Sequence, residues 1–218
     1  MKASRLLIGL ALTASLVACG SPSPTPKPAC PTAAPTATQA QQILTDAGRA
    51  QVKTNKGEFT MELYGSAAPI AAANFVALAR CGFYDGVTFH RVIAGFVIQA
   101  GDPATKQNHG DFEGLGEGGA GYEYAIEPPA DALNYDKYVV AVANNQRTND
   151  SQFFIDLDDL DGRLARSYTI FGKVVDGTDT IDTIGALPVN DPQVGVPLDP
   201  AIIESITIQA LPEPSASA

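Results

Sequence analysis

One stretch does most to limit what this chain can become: Phe89-His90-Arg91-Val92-Ile93-Ala94-Gly95-Phe96-Val97-Ile98-Gln99-Ala100-Gly101-Asp102-Pro103. β-Branched and aromatic runs flank Ala94-Gly95, so it reads as two strands meeting at a tight bend. With a side-chain period of two, Val97 and Gln99 point to one face and Ile98 and Ala100 to the other. Arg91 is the only cation here, and a charge amid so many apolar neighbours needs a partner or a task.

The remaining chain supplies more strands than helices. Residues 51–64 read as a hairpin around Asn55-Lys56-Gly57, and further strands fit residues 122–126, 137–143, 152–157, 168–175 and 202–208. A helix opens at Pro69 and stops near Arg80 before Gly82, and a second fits residues 177–184. Residues 104–121 are glycine-rich loop, and residues 39–48 can form one short helix. Many short strands with two main helices argue for an antiparallel barrel rather than a parallel sheet.

Both ends differ in composition from the middle. Residues 1–18 carry Lys2 and Arg5, then an apolar run over residues 6–17, which is the layout of an export signal. No window reaches the roughly 20 apolar residues of a permanent span. Residues 19–48 begin with Cys19 and then Pro22, Pro24, Pro26, Pro28, Pro31 and Pro35 among Ser, Thr and Ala. Within this tether, residues 20–38 behave as an extended spacer, reaching roughly 60 Å at about 3.1 Å per residue. The globular domain is expected over residues 49–210 and a frayed tail over residues 211–218.

Two motifs carry a resemblance. Phe89 to Pro103 is similar to the signature of the cyclophilin-type peptidyl-prolyl cis-trans isomerases. Ala143-Asn144-Asn145-Gln146-Arg147-Thr148-Asn149-Asp150-Ser151-Gln152-Phe153-Phe154-Ile155 resembles the family's other signature. The resemblance implies a mainly β fold, a closed eight-stranded antiparallel barrel capped by two α-helices. It implies an isomerase of X-Pro bonds that needs no cofactor and acts on proline-containing unfolded or flexible polypeptides. Leu16-Val17-Ala18-Cys19 likewise resembles the lipobox of bacterial lipoproteins, with Cys19 acylated; a plain secretory signal is the alternative. The expected location is the extracytoplasmic face of a cell membrane, held by the lipid, as a monomer.

Arg91 is the candidate catalytic donor, because a permanently charged multiple donor can hydrogen-bond a prolyl nitrogen whose lone pair localises as the amide twists. The alternative is a structural ion pair. Gln99 on the neighbouring strand is placed to hold the guanidinium or a substrate carbonyl. The resemblance assigns the proline pocket to Phe96, Val97, Phe154 and Leu160, and the grip on the substrate chain to Ala143 and the Asn144 backbone. Tyr168 aligns where relatives often have histidine, Asp159 stands where they often have tryptophan, and Glu117 adds negative charge beside the groove. Alternation sends one of Phe153 and Phe154 inward and the other toward the groove.

Other chemistries find less support. His90 should point away from Arg91 into a hydrogen-bonded structural role and His109 sits in a loop, so the two histidines give no metal site. No nucleophile pairs with either. A net charge of −10 and a pI near 4.5 disfavour nucleic acid as a partner. Cys30 and Cys81 can form a disulfide in an exported chain, or remain a free and a buried thiol. A catalytically weak cyclophilin-like binding or chaperone module is the rival reading, and a solute-binding lipoprotein would need two larger lobes.

Overall fold

A computed structural model of the chain describes residues 26–107, 114 and 116–211; the expected signal, Cys19, His109 and most of the tail lie outside them. Three α-helices and nine strands follow in the order α1 (Ala37–Leu44), β1 (Arg49–Thr54), β2 (Gly57–Leu63), α2 (Pro69–Cys81), β3 (Arg91–Ile93), β4 (Val97–Ala100), β5 (Tyr124–Ala125), β6 (Val139–Asn144), β7 (Thr148–Asp156), β8 (Ile170–Asp176), α3 (Thr178–Gly185) and β9 (Ile203–Gln209). The expected hairpin and the two main helices are present. Gly95, at φ 66, makes the bend between β3 and β4 in a conformation that favours glycine.

Eight strands form one antiparallel path, β3-β4-β7-β6-β8-β2-β1-β9, and the two-residue β5 pairs with β7 off that path. The expected closed barrel is therefore corrected to a curled sheet with a seam. Among the described residues its two ends are joined only by the bridge Thr88–Ile202, just before β3 and β9, and by a few neighbouring bonds such as Phe89 N–H to Ala201 O at 2.9 Å. Continuation of the ladder is blocked because Val92 N–H donates instead to Gly195 O of an intervening loop.

Inside the curl lies the larger core, where Phe75 of α2 meets Tyr84, Phe153 and Phe171 at ring-centroid distances of 5.2, 5.7 and 5.3 Å. No side chain caps the start of α2 at Ala68; the Glu127 carboxylate accepts from the N–H groups of Ile70 and Ala71 instead. Those amides are among the groups a helix N-terminus leaves without partners. A smaller core occupies the outer face of the sheet, with Val97, Tyr135, Val139, Ala141, Phe154 and Leu160 at its centre.

The expected tether is shorter than composition implies. A disulfide joins Cys30 to Cys81 at the end of α2, and Lys27 pairs with Asp85. α1 then starts in a capping box between Thr36 and Gln39, buries Ala40 and lays Ile43 and Leu44 against the core beside α2. α2 is apolar over much of its circumference and needs a cover, which a proline count in the preceding segment does not reveal. This is the short helix that residues 39–48 allowed, displaced toward the N-terminus and added to the two main helices.

Candidate functional site

Strand register builds the site in one row. Arg91 of β3 lies opposite Gln99 of β4, Gln99 opposite Phe154 of β7, and Phe154 opposite Ala141 of β6. Cross-strand partners share a face and neighbouring strands lie about 4.8 Å apart, so these side chains stand together on the outer face. Phe153 falls on the other face and packs in the larger core, as alternation requires.

Above the row is a hollow of about 130 Å³, lined by Arg91, Phe96, Val97, Gln99 and Phe154, with Ala143, Asn144, Leu164 and Tyr168 completing it. The Phe154 and Tyr168 rings meet edge to face at 5.4 Å. Phe96 has Arg91 Cζ 6.0 Å and Arg163 Cζ 5.9 Å from its ring centroid, within the range of cation–π attraction. Described ion pairs engage Arg49, Arg80, Arg163 and Arg166, and Arg91 is in none of them. Burial pulls the Arg91 pKa below its usual value while the nearby Tyr168 opposes the shift. An arginine starts so far above neutrality that it remains a cation.

Two site expectations need correction. Leu160 does not line the hollow: it is fully buried in the smaller core, and its N–H donates to Tyr135 O at 2.7 Å. The turn after it brings Leu164 to the wall instead, with Leu164 N–H bonded to Leu160 O at 3.1 Å. Gln99 does not hold the guanidinium; its amide donates to Gln152 Oε1 at 2.9 Å. The Gln152 amide in turn donates to Gly116 O and Gly118 O at 2.9 and 2.7 Å. Sequence reasoning passed over Gln152, although it stands two residues from Phe154 and so on the same face.

Asn144 uses its side chain internally, donating to Ser167 O at 2.9 Å and accepting from Gln146 N–H, so its backbone is what it can offer a ligand. His90 is buried on the opposite face. Neither of its ring nitrogens has a hydrogen-bond partner among the described residues, against the bonded role expected. Burial lowers its pKa to about 4, with the Asp102 carboxylate opposing. Beside Val97, its cross-strand partner Asp156 is fully buried, and neither carboxylate oxygen has a hydrogen-bond partner among the described residues. Burial first, then Asp136 and Asp159, raises its pKa to about 8. Among the described residues no group of three or more His, Cys, Asp or Glu could hold a metal ion, and no helix is long and apolar enough to cross a membrane.

Such a site can do one kind of chemistry well. It offers a fixed cation beside an apolar dent, with backbone and amide groups along one rim. Comparison with known proteins points the same way. A family model described as cyclophilin type peptidyl-prolyl cis-trans isomerase/CLD matches residues 49–208. Peptidyl-prolyl cis-trans isomerase A of Mycobacterium tuberculosis is 41% identical over 180 residues, covering 73% of this chain and 91% of the relative. Peptidyl-prolyl cis-trans isomerase-like 3 of Homo sapiens is 37% identical over 163 residues, covering 73% and 94%. A solved cyclophilin type isomerase of Cryptosporidium parvum superposes with a TM-score of 0.66 at 34% identity, covering 76% of this chain and 99% of its own. The same protein was also solved in the presence of the dipeptide Ala-Pro, with a TM-score of 0.65 at 35% identity and coverage of 74% and 99%.

Proposed function

This chain belongs to the cyclophilin-type peptidyl-prolyl cis-trans isomerases, and on that premise we propose that it rotates X-Pro bonds in exported polypeptides, assisting their folding outside the cytoplasm. The barrier to that rotation, about 18–20 kcal/mol, comes from amide resonance. As the bond twists, the prolyl nitrogen becomes pyramidal and gains a lone pair that accepts a hydrogen bond. Arg91 donates to that nitrogen while the ring sits among Phe96, Val97, Phe154, Leu164 and Tyr168. A donor that is engaged only when the amide is twisted binds the transition state better than either planar form, which is the requirement for catalysis. Ala143 and the Asn144 backbone grip the chain, and Gln99 lies within reach of a substrate carbonyl. No covalent intermediate is formed.

The single observation that carries this mechanism is that Arg91 lies beside an apolar hollow without an ion-pair partner among the described side chains. The test is turnover of a short Ala-Pro peptide by the full chain in detergent, followed by NMR exchange. Wild type should accelerate interconversion and Arg91→Ala should do so far less. Equal rates in the two would overturn the role of Arg91.

The chain is further proposed to be a monomer held at the membrane through acylated Cys19, its signal removed. The disulfide between Cys30 and Cys81 supports an oxidising location outside the cytoplasm. Metabolic labelling with a radioactive fatty acid checks the anchor. Wild type should carry label and Cys19→Ala should not.

A further inference from the structure

Behind the rim of the proline hollow runs a string of buried polar groups to which the mechanism above gives no task. Asn149 of β7 and Thr169, the residue before β8, are both fully buried, and neither lines the hollow. The Asn149 amide donates to the Thr169 hydroxyl at 2.9 Å, and the Asn149 side-chain oxygen accepts from the Asn144 amide at 3.3 Å. That Asn144 amide also donates to Ser167 O at 2.9 Å. The Thr169 hydroxyl accepts a second bond, from Glu127 N–H at 3.0 Å, and the Glu127 carboxylate holds the N–H groups of Ile70 and Ala71 at the start of α2. Tyr168, between Ser167 and Thr169, donates its N–H to the Tyr135 hydroxyl at 3.2 Å and accepts from that hydroxyl at its carbonyl at 2.8 Å.

Two walls of the hollow depend on this string because the sheet does not fix them. A register shift between Val142 and Asn144 leaves Ala143 without a cross-strand partner in β7, and Tyr168 lies just before β8, outside its ladder. Side-chain bonds that converge on Asn149 and Thr169 hold both places instead. Resting on the isomerase reading above, we propose that Asn149 and Thr169 are positioning residues, which set the Ala143–Asn144 backbone and the Tyr168 ring at the separation that a prolyl chain needs. Thr169 is the joint. A hydroxyl oxygen has two acceptor sites, and here both are used, one for β7 and one for the segment that caps α2. A methyl group in its place would leave the Asn149 amide without a partner in a fully buried position, and an orphaned buried donor costs more than an ordinary bond contributes. The nearest relief is a shift of residues 167–169, which moves Tyr168 off the edge-to-face contact with Phe154.

The test measures kcat and KM separately for the full chain on an Ala-Pro peptide, in wild type, Thr169→Val and Thr169→Ser. Thr169→Val keeps the branched side chain and removes the acceptor. It should raise KM about five- to tenfold and leave kcat within about twofold, the pattern of a lost grip on the substrate chain. Thr169→Ser returns the hydroxyl and should stay within about twofold of wild type in both. Val52→Ala is the comparison: it empties part of the larger core at β1, away from these bonds, so it should lower the melting temperature without moving KM. In wild type, the Asn149 side-chain amide should shift in NMR spectra as peptide saturates the hollow, although it does not line it. That signal carries the test should Thr169→Val fail to fold. An unchanged KM in Thr169→Val, an equal rise in Thr169→Ser or Val52→Ala, or an Asn149 amide that peptide leaves unmoved overturns the proposal. Each of these outcomes leaves wild-type turnover intact, whereas no turnover by wild type defeats the isomerase reading beneath it.

Discussion

The apolar hollow adjoins an acidic one of about 400 Å³ that carries Glu117, Glu123 and Asp150 and shares Gln99, Ala143 and Asn144 with it, yet the two are built by different means. The apolar one stands on a row of paired strands, where register fixes Arg91, Gln99 and Phe154 within neighbouring positions. The acidic one has only part of its wall on strands; the rest is loop, carried by side-chain bonds from Asp102 and Gln152 to the backbone of Gly116 and Gly118. Ladder pairing is cooperative and leaves little freedom to a single side chain, whereas a loop held by a few polar bonds can change its charges without disturbing the sheet. The proposed chemistry is thus located where the backbone is most constrained.

The sharpest way to break this contrast is Arg91→Ala. Loss of the donor should lower kcat/KM about 100- to 1,000-fold, the scale of removing one transition-state hydrogen bond, with little change in melting temperature. Arg91→Lys should recover only part, since an ammonium lacks the planar fork. Next come the two leucines of the apolar side. Leu160→Ala should cost about 2–4 kcal/mol of stability in urea unfolding because it leaves a cavity in the smaller core. Leu164→Ala should cost less than about 1 kcal/mol but raise KM several-fold. The reverse pattern would place the wrong leucine at the wall.

A pH series sharpens the contrast further. Asp156 stands beside Val97 of the apolar hollow and its folded pKa is raised to about 8, so the native state holds a proton that the unfolded chain releases near pH 4. Its contribution is fully favourable below about pH 4 and is lost as pH rises to about 8, by at most about 1.4 kcal/mol per unit. Asp156→Asn should flatten that limb in thermal melts and stabilise the protein at pH 8. His90 lies behind the loop wall, with Gly116 beside its ring, and its folded pKa is depressed to about 4. Its contribution is complete above about pH 6.5 and is lost as pH falls toward about 4, so His90→Gln should remove the acid limb. Melts in which neither substitution alters the pH profile would dissociate both groups from stability.

Legibility in the sequence followed the same division. Periodicity of two placed Val97 and Gln99 on one face and sent Phe153 and Phe154 apart, because a strand leaves no other choice. Motif resemblance supplied Arg91, Tyr168 and the approximate domain limits. Leu164 escaped because residues after Asp161 form a turn, where no periodicity says which apolar side chain reaches the wall. Gln152 escaped because its value lies in carbonyls 34 and 36 positions away. The seam in the curled sheet escaped for a related reason, since the loop that interrupts the ladder is joined to β3 by backbone bonds that carry no compositional trace. α1 was weakly marked, being short, and its cover over α2 is a property of the partner surface rather than of its own residues.

The Cys30–Cys81 link carries a mechanical consequence. A pull on the amino-terminal end enters the domain at Cys81, at the foot of α2, and bypasses residues 31–48 altogether. β1, which begins at Arg49 and is zipped to β2 and β9, is therefore shielded from being peeled off its sheet. Such tension is borne by the helix that packs against the centre of the molecule, and the strands that hold Arg91 feel none of it directly.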